Sequence, residues 1–179
     1  MRIISGKNKG RQIIAPKNLP VRPTTDFAKE SLFNILNNLV VLADTDVLDL
    51  FAGTGNISYE FASREGKTIT AIDNNRNCVQ FIKQTAARLN YENIDTIQSD
   101  YMSFINNVHE KWDVIYADPP YNMEGIENIP QLIFDNEVLN ADGFFILEHN
   151  KSIDFLEHPN FYDHRHYGKV NFTFFRNRQ

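Results

Sequence analysis

Four short segments of this chain combine residue types and spacings that could do chemistry. The most specific is Asp118-Pro-Pro-Tyr121. Two adjacent prolines lock φ and remove two backbone donors, so the turn presents its carbonyl acceptors rigidly. With the Asp118 carboxylate they form an acceptor cluster, and Tyr121 adds a flat aromatic face. An exocyclic amine on an aromatic base needs such a site. Its NH2 is planar and a poor nucleophile, because the lone pair is delocalised into the ring. Asp118 and the Pro119 carbonyl can hold the two hydrogens while the lone pair is aimed at an electrophile. Stacking on Tyr121 would contribute about 1–3 kcal/mol and fix the plane of the base. A plain proline turn is the bland alternative for the tetrapeptide taken alone.

The other three segments are acidic. Asp49-Leu-Phe-Ala-Gly-Thr-Gly55 reads as a strand running into a glycine turn, with Asp49, Phe51, Gly53 and Gly55 as candidate ligand contacts. Its glycines permit a tight turn and a close backbone approach, although glycines punctuate many such turns. The Gly-Lys-[Ser/Thr] of a P-loop is missing, and Ser58 stands where the dinucleotide fingerprint needs its third glycine. Asp73 follows the next strand, where a carboxylate can accept both hydroxyls of a ribose. Asp100 follows the third, placed to accept from an adenine amino group. Either aspartate could instead cap the helix after it. Three acidic strand ends around one glycine turn suit a ligand carrying ribose, adenine and a positive charge rather than phosphates.

The elements that must position these groups alternate from residue 46 onward. Apolar runs at Val47–Phe51, Thr68–Ile72, Ile94–Gln98, Trp112–Ala117 and Phe144–Glu148 read as strands. Helical stretches fall at Ile57–Arg64, Asn75–Asn90, Tyr101–Asn107 and Ile129–Leu139, with a turn at Asn140–Gly143. Two aromatic-rich runs, Asn160–Tyr167 and Val170–Phe175, read as a closing antiparallel pair. The pattern predicts a mostly parallel α/β sheet with helices on both faces. Ahead of it, Arg2–Ser5 and Arg11–Ile14 flank a Gly6–Gly10 tip and read as a β-hairpin. Pro16, Pro20 and Pro23 keep the chain extended, and Thr24 or Thr25 can cap a helix whose Ala28, Leu32, Ile35, Leu36 and Leu39 share one face. Residues 1–40 thus form an N-terminal extension and 41–179 the main domain.

At 179 residues, 42 % hydrophobic and 23 % charged, the chain is of single-domain size and globular composition, which excludes a disordered or disulfide-stapled chain. Its one cysteine, Cys78, has no partner for a disulfide or a C-x-x-C metal site and reads as a packing residue. His149, His158, His164 and His166 lack metal-site spacing, so no metal is expected. No apolar run reaches the roughly 20 residues of a membrane span, and the start lacks a signal-peptide core, so a cytoplasmic protein without membrane attachment is expected. The net charge of −5 argues against a nucleic-acid binder, yet residues 1–30 hold seven bases against two acids. A basic arm on an acidic body offers Lys7, Lys9, Arg11 and Arg22 as phosphate contacts.

Asp49–Gly55, Asp73, Asp100 and Asp118–Tyr121, in this order, resemble the class I S-adenosylmethionine-dependent methyltransferases that modify base amino groups. Met1–Lys7, Gly10-Arg11, Arg22-Pro-Thr-Thr-Asp26 and Glu30–Asn34 are similar to the bacterial 16S ribosomal RNA guanine-N2 methyltransferases of the RsmD type. The likeness runs from residue 1 to about 150 and weakly on to Tyr167-Gly168. This resemblance implies a Rossmann-like sheet of seven strands with a basic hairpin. It sets S-adenosylmethionine over Gly53 and Gly55, its ribose on Asp73 and its adenine near Asp100, with the target guanine held by Asp118 to Tyr121. It also implies 16S ribosomal RNA, or the assembling small subunit, as the partner of a monomeric enzyme. An adenine-N6 methyltransferase on DNA or RNA is the nearest alternative, since the same tetrapeptide serves any exocyclic amine. A non-catalytic RNA-binding module and a nucleotide-binding oxidoreductase are more distant ones.

Overall fold

Apolar residues two apart along each strand decide which layer covers which face of the sheet. A computed structural model describes residues 1–16, 19 and 25–178. Lys17, Pro20, Arg22, Pro23 and Thr24 lie outside the described residues, so the phosphate contact expected of Arg22 has no structural counterpart here. The chain folds as α1 (Asp26–Leu39), β1 (Asp46–Asp49), α2 (Asn56–Ser63), β2 (Thr68–Asp73), α3 (Arg76–Arg88), β3 (Ile94–Gln98), α4 (Tyr101–Asn107), β4 (Trp112–Ala117), α5 (Ile129–Asp135), β5 (Leu139–His149), β6 (Phe161–Tyr167) and β7 (Val170–Arg176). Among the described residues these strands form one seven-stranded sheet in the order β3-β2-β1-β4-β5-β7-β6. The first five pair in parallel, while β7 runs antiparallel to both β5 and β6.

Val47, Val114, Tyr116, Phe144 and Ile146 face α1, α2 and α3, where they meet Leu32, Phe33, Ile57, Phe61 and Ile82. Leu48, Ile115, Ala117, Phe145 and Leu147 face the other way, toward Ile105 of α4 and Ile129 and Ile133 of α5. Ile3 and Ile13 of the N-terminal segment are buried in the first of these clusters. The segment therefore shares the core of the sheet it covers. Its two arms meet as the expected hairpin, with Arg2 opposite Gln12 and Ile3 N–H donating to the Arg11 carbonyl at 3.0 Å. Thr25, rather than Thr24, caps α1 by accepting from Ala28 N–H at 3.2 Å.

The sequence pattern misplaces the boundary between α5 and β5 by several residues. A helix was expected through Leu139 and a turn over Asn140–Gly143, but α5 stops at Asp135 and β5 already begins at Leu139. Glu137 turns to φ +52, which ends the helix, and Trp112 N–H then donates to the Val138 carbonyl at 3.0 Å. The Asn140 side chain donates to Asp113 at 2.7 Å, so pairing with β4 overrides the turn-forming residues. No helix among the described residues is long and apolar enough to cross a membrane.

Candidate active site

From β1 the chain passes outward to β2 and β3, then returns to β4 on the other side, which leaves a crevice at the carboxyl ends of β1 and β4. A cavity of about 660 Å3 opens there. The period-two rule continues beyond the apolar residues. Asp49 follows Val47, Asp118 follows Tyr116, and Glu148 follows Ile146, so three carboxylates project on the face covered by α1, α2 and the hairpin. All three line the cavity, with Phe51, Gly53, Pro119 and Tyr121.

Burial changes what these acids are. Asp49 is buried and accepts the Ser58 hydroxyl at 2.6 Å through one oxygen, while the other has no hydrogen-bond partner. Desolvation, opposed by that hydroxyl and aided by the charge of Asp73, pushes its pKa up to about 7. Asp118 is held well above the usual carboxylate range by its burial and by the charges of Glu148 and Asp49. Glu148, only 3 % exposed, accepts two phenols: Tyr116 Oη at 2.6 Å and Tyr121 Oη at 3.1 Å. Those bonds tie the end of β5 to the tetrapeptide, and the Asn150 side chain donates to the Tyr121 carbonyl at 3.3 Å. Burial and the neighbouring carboxylates Glu148 and Asp118 push the Tyr121 phenol up, so it remains a neutral donor. The residue is still 42 % exposed and lines the cavity.

The remaining candidates sit around this centre. Gly53 and Gly55 both have positive φ, and a Cβ on Gly55 would lie 2.7 Å from the Tyr59 ring. The turn is therefore built for glycine, and Gly55 opens α2 as its N-cap. Asp73 accepts Gly53 N–H and Asn75 N–H, each at 2.8 Å, which fastens the glycine turn to the end of β2. Asp100 is exposed and caps α4 by accepting from Ser103 N–H at 3.0 Å. Neither Asp73 nor Asp100 lines the cavity itself. Both stand at the carboxyl ends of β2 and β3, the strands that flank β1 on the side away from β4.

The basic arm has an orientation of its own. At its open end, Met1 Sδ lies 3.7 Å from the Thr54 hydroxyl beside the cavity. At its tip, Lys7 N–H donates to the Ser63 carbonyl and the Asn8 side chain to the Leu89 carbonyl. The tip reaches the far end of α2, about 10 Å along that helix from the cavity. Gly6 allows this, since a Cβ there would fall 1.8 Å from the Ser63 carbonyl oxygen. Lys7, Lys9 and Arg11 are thus exposed at the opposite end of α2 from the three carboxylates. Cations nearer the cavity are Lys169, which lines it from the β6–β7 turn, and Lys29 of α1.

Lys29 is buried to 1 % exposure beside Glu60 at 0 %. Its ammonium donates to the Arg2 carbonyl at 2.6 Å and to Asn56 Oδ1 at 2.8 Å, and lies 3.4 Å from Glu60. Burial lowers its pKa, and Glu60 opposes that shift. Glu60 also accepts Ile4 N–H, Ser5 N–H and Arg64 Nε at 2.8–3.0 Å. This network clamps hairpin, α1 and α2 together immediately behind cavity-lining Asn56 and Thr25.

With the geometry in hand, similarity to known proteins identifies the family. The family model described as conserved hypothetical protein 95 matches residues 1–176. Ribosomal RNA small subunit methyltransferase D of Escherichia coli is 32 % identical over 148 residues, spanning 83 % of this chain and 74 % of that protein. The protein of the same name from Buchnera aphidicola subsp. Baizongia pistaciae is 29 % identical over 161 residues, spanning 89 % and 81 %. The chain belongs to this methyltransferase family. Its fold agrees: the solved structure of yhhF from Escherichia coli matches with a TM-score of 0.86 and 29 % identity, over 100 % of this chain and 99 % of that one.

A methyltransferase of this family uses S-adenosylmethionine as methyl donor, and the residues present fit that molecule. The donor carries a sulfonium and an ammonium, and Asp49 offers it a buried carboxylate oxygen without a partner. The glycine turn brings backbone to the cavity wall, and the anionic cluster complements a cation. The sequence reading gives Glu148 only as the last residue of a strand and assigns no role to Tyr116, Lys29 or Glu60. A signal for Glu148 was present: Ala117 pairs with Leu147, so Glu148 must stand beside Asp118 once β4 and β5 are neighbours. No local pattern marks Lys29 or Glu60.

Proposed function

We propose that this chain transfers the methyl group of S-adenosylmethionine to the exocyclic N2 amine of a guanine in small-subunit ribosomal RNA. The observation that supports it most is the acceptor cluster at the switch point, in which Asp118, Pro119 and Tyr121 share one cavity with the buried acids Asp49 and Glu148. The names of the relatives agree in the substrate, ribosomal RNA of the small subunit.

Gly53 and Asp49 would hold the donor, which would supply an electrophilic methyl group on a cationic sulfur. Asp118 and the Pro119 carbonyl accept the two amine hydrogens and aim the nitrogen lone pair. Tyr121 stacks on the base, its ring held by the bond to Glu148. Positioning of this kind supplies much of the rate, because it converts an encounter into a fixed near-attack geometry. Transfer of the methyl group from the donor's sulfur would leave the amine strongly acidic. Its proton can then leave to Asp118, whose carboxylate burial makes unusually basic. In this reading Asp73 receives the ribose and Asp100 lies toward the adenine. Lys7, Lys9, Arg11 and Arg22 contact phosphates beyond the target nucleotide. In this reading the enzyme acts as a monomer. A ribosomal RNA substrate also supports a cytoplasmic location.

The test is methyl transfer from labelled S-adenosylmethionine to unmodified small-subunit RNA and to assembled particles, followed by nucleoside mass spectrometry. N2-methylguanosine is the expected product. N6-methyladenosine, or cofactor binding without transfer, would overturn the proposal.

A further inference from the structure

Asp118 and Pro119 suffice to hold an exocyclic amine, but an amine alone does not distinguish guanine from adenine. The difference lies at the neighbouring ring nitrogen. N1 of guanine carries a hydrogen, whereas N1 of adenine presents a lone pair. A base drawn out of a stack into a pocket is read along this edge.

Glu148 stands where that atom must be met. It lies one residue beyond the last paired position of β4 and β5, where Ala117 is opposite Leu147, as Asp118 does on the other strand. Both side chains line the cavity on the same face of the sheet. Both tyrosine hydroxyls donate to Glu148, so each of its oxygens serves as an acceptor. The two bonds are unequal. Tyr116, buried in β4, binds Oε2 at 2.6 Å, a short contact that anchors the side chain. Tyr121, on the half-exposed ring proposed to stack on the base, reaches Oε1 at 3.1 Å, long for an O–H···O bond. An N–H in the plane of a base stacked on Tyr121 can share or replace that weaker bond.

We infer that Glu148 is the specificity-determining residue of the site: its Oε1 accepts the N1–H of guanine and rejects the N1 lone pair of adenine, while Asp118 and Pro119 hold the amine. The inference rests on the guanine-N2 reading above. It assigns a chemical purpose to a buried carboxylate that amine binding does not require. A carboxylate facing a ring lone pair loses a hydrogen bond and adds repulsion between two acceptors. Sites built to hydrogen-bond a substrate group discriminate strongly against analogues that lack it.

The probe is a small-subunit RNA fragment with 2-aminopurine in place of the target guanine, its position taken from product mapping. 2-Aminopurine keeps the N2 amine but carries a lone pair at N1. For the unaltered protein, kcat/KM on this RNA is expected to fall at least hundredfold relative to guanine RNA. Glu148→Gln keeps the shape and offers an amide N–H to that lone pair. It should lower guanine turnover and raise turnover of 2-aminopurine, moving the ratio by tenfold or more. Equal use of both bases by the unaltered protein would overturn the inference. So would a Glu148→Gln enzyme that loses both activities in the same proportion, since Glu148 would then only hold Tyr121. Failure of the unaltered protein to methylate guanine RNA at all would instead refute the guanine-N2 reading, so the two failures are separable.

Discussion

The two ends of α2 carry opposite charge in opposite surroundings. At its start, Asp49, Asp118 and Glu148 are drawn out of water around one cavity. At its finish, Lys7 and Lys9 stand in solvent on a hairpin tip bonded to Ser63. Asp49 and Asp118 acquire altered chemistry, because burial raises the cost of their charge and neighbouring carboxylates add to it. The lysines remain ordinary cations whose attraction for a phosphate backbone is screened by salt. Charge therefore selects at one end and attracts at the other, and the clamp of Lys29 and Glu60 holds the two in fixed relation.

The sharpest way to break this comparison is to remove one buried acid. Asp118→Ala should lower methyl transfer by roughly a thousandfold or more, with donor affinity changed only a few-fold, as measured by single-turnover kinetics and calorimetry. Retained turnover would mean that the cavity does not hold the amine through this residue. Next in size is the clamp. Glu60→Ala leaves the Lys29 ammonium buried without its counter-ion and strands two hairpin N–H groups, which should cost about 3–5 kcal/mol and lower Tm by roughly 10 °C. An unchanged Tm would show that the hairpin is held by its apolar contacts alone.

At the tip, reversing Lys7, Lys9 and Arg11 to Glu should reduce kcat/KM on RNA by roughly tenfold at low salt and less at high salt, with Tm and donor affinity unaltered. A matching fall in donor affinity would assign the arm a structural role instead. The smallest expected effect is a pH dependence at Asp49. An unfolded aspartate ionises near 4, whereas burial keeps this one protonated up to about 7. Native Asp49 thus binds more protons than the unfolded chain between about 4 and 7. Its contribution makes stability fall as pH rises through that window and level off above it. A cationic ligand favours the ionised form, so affinity for S-adenosylmethionine should tighten several-fold from pH 6 to pH 8. Asp49→Asn should flatten both trends in thermal-melt and calorimetric series, and an unaltered slope would place the titrating group elsewhere.

Much of this arrangement was legible along the chain. The strands Ile94–Gln98 and Trp112–Ala117 and the helix Tyr101–Asn107 fall where their patterns place them, since apolar periodicity and capping depend on residues within a turn or two. The tetrapeptide and the glycine turn announced themselves because their backbone demands are local. The segment from Leu139 to Gly143 was misread for the complementary reason. Its own residues favour a turn, and only pairing with β4 makes it a strand.

Residue order alone thus determined the α/β alternation, the acceptor turn, the acidic strand ends and the basic arm, all of which follow from short-range geometry and side-chain chemistry. Tertiary structure decided what those groups face. It brought Glu148 beside Asp118 from 30 positions away, buried Lys29 against Glu60, and set the hairpin lysines at the far end of α2 from the cavity. A carboxylate in water and one beside two others in a cavity are the same letter in a sequence. Strand register and burial set the distance and the dielectric between charges, and these separate the two.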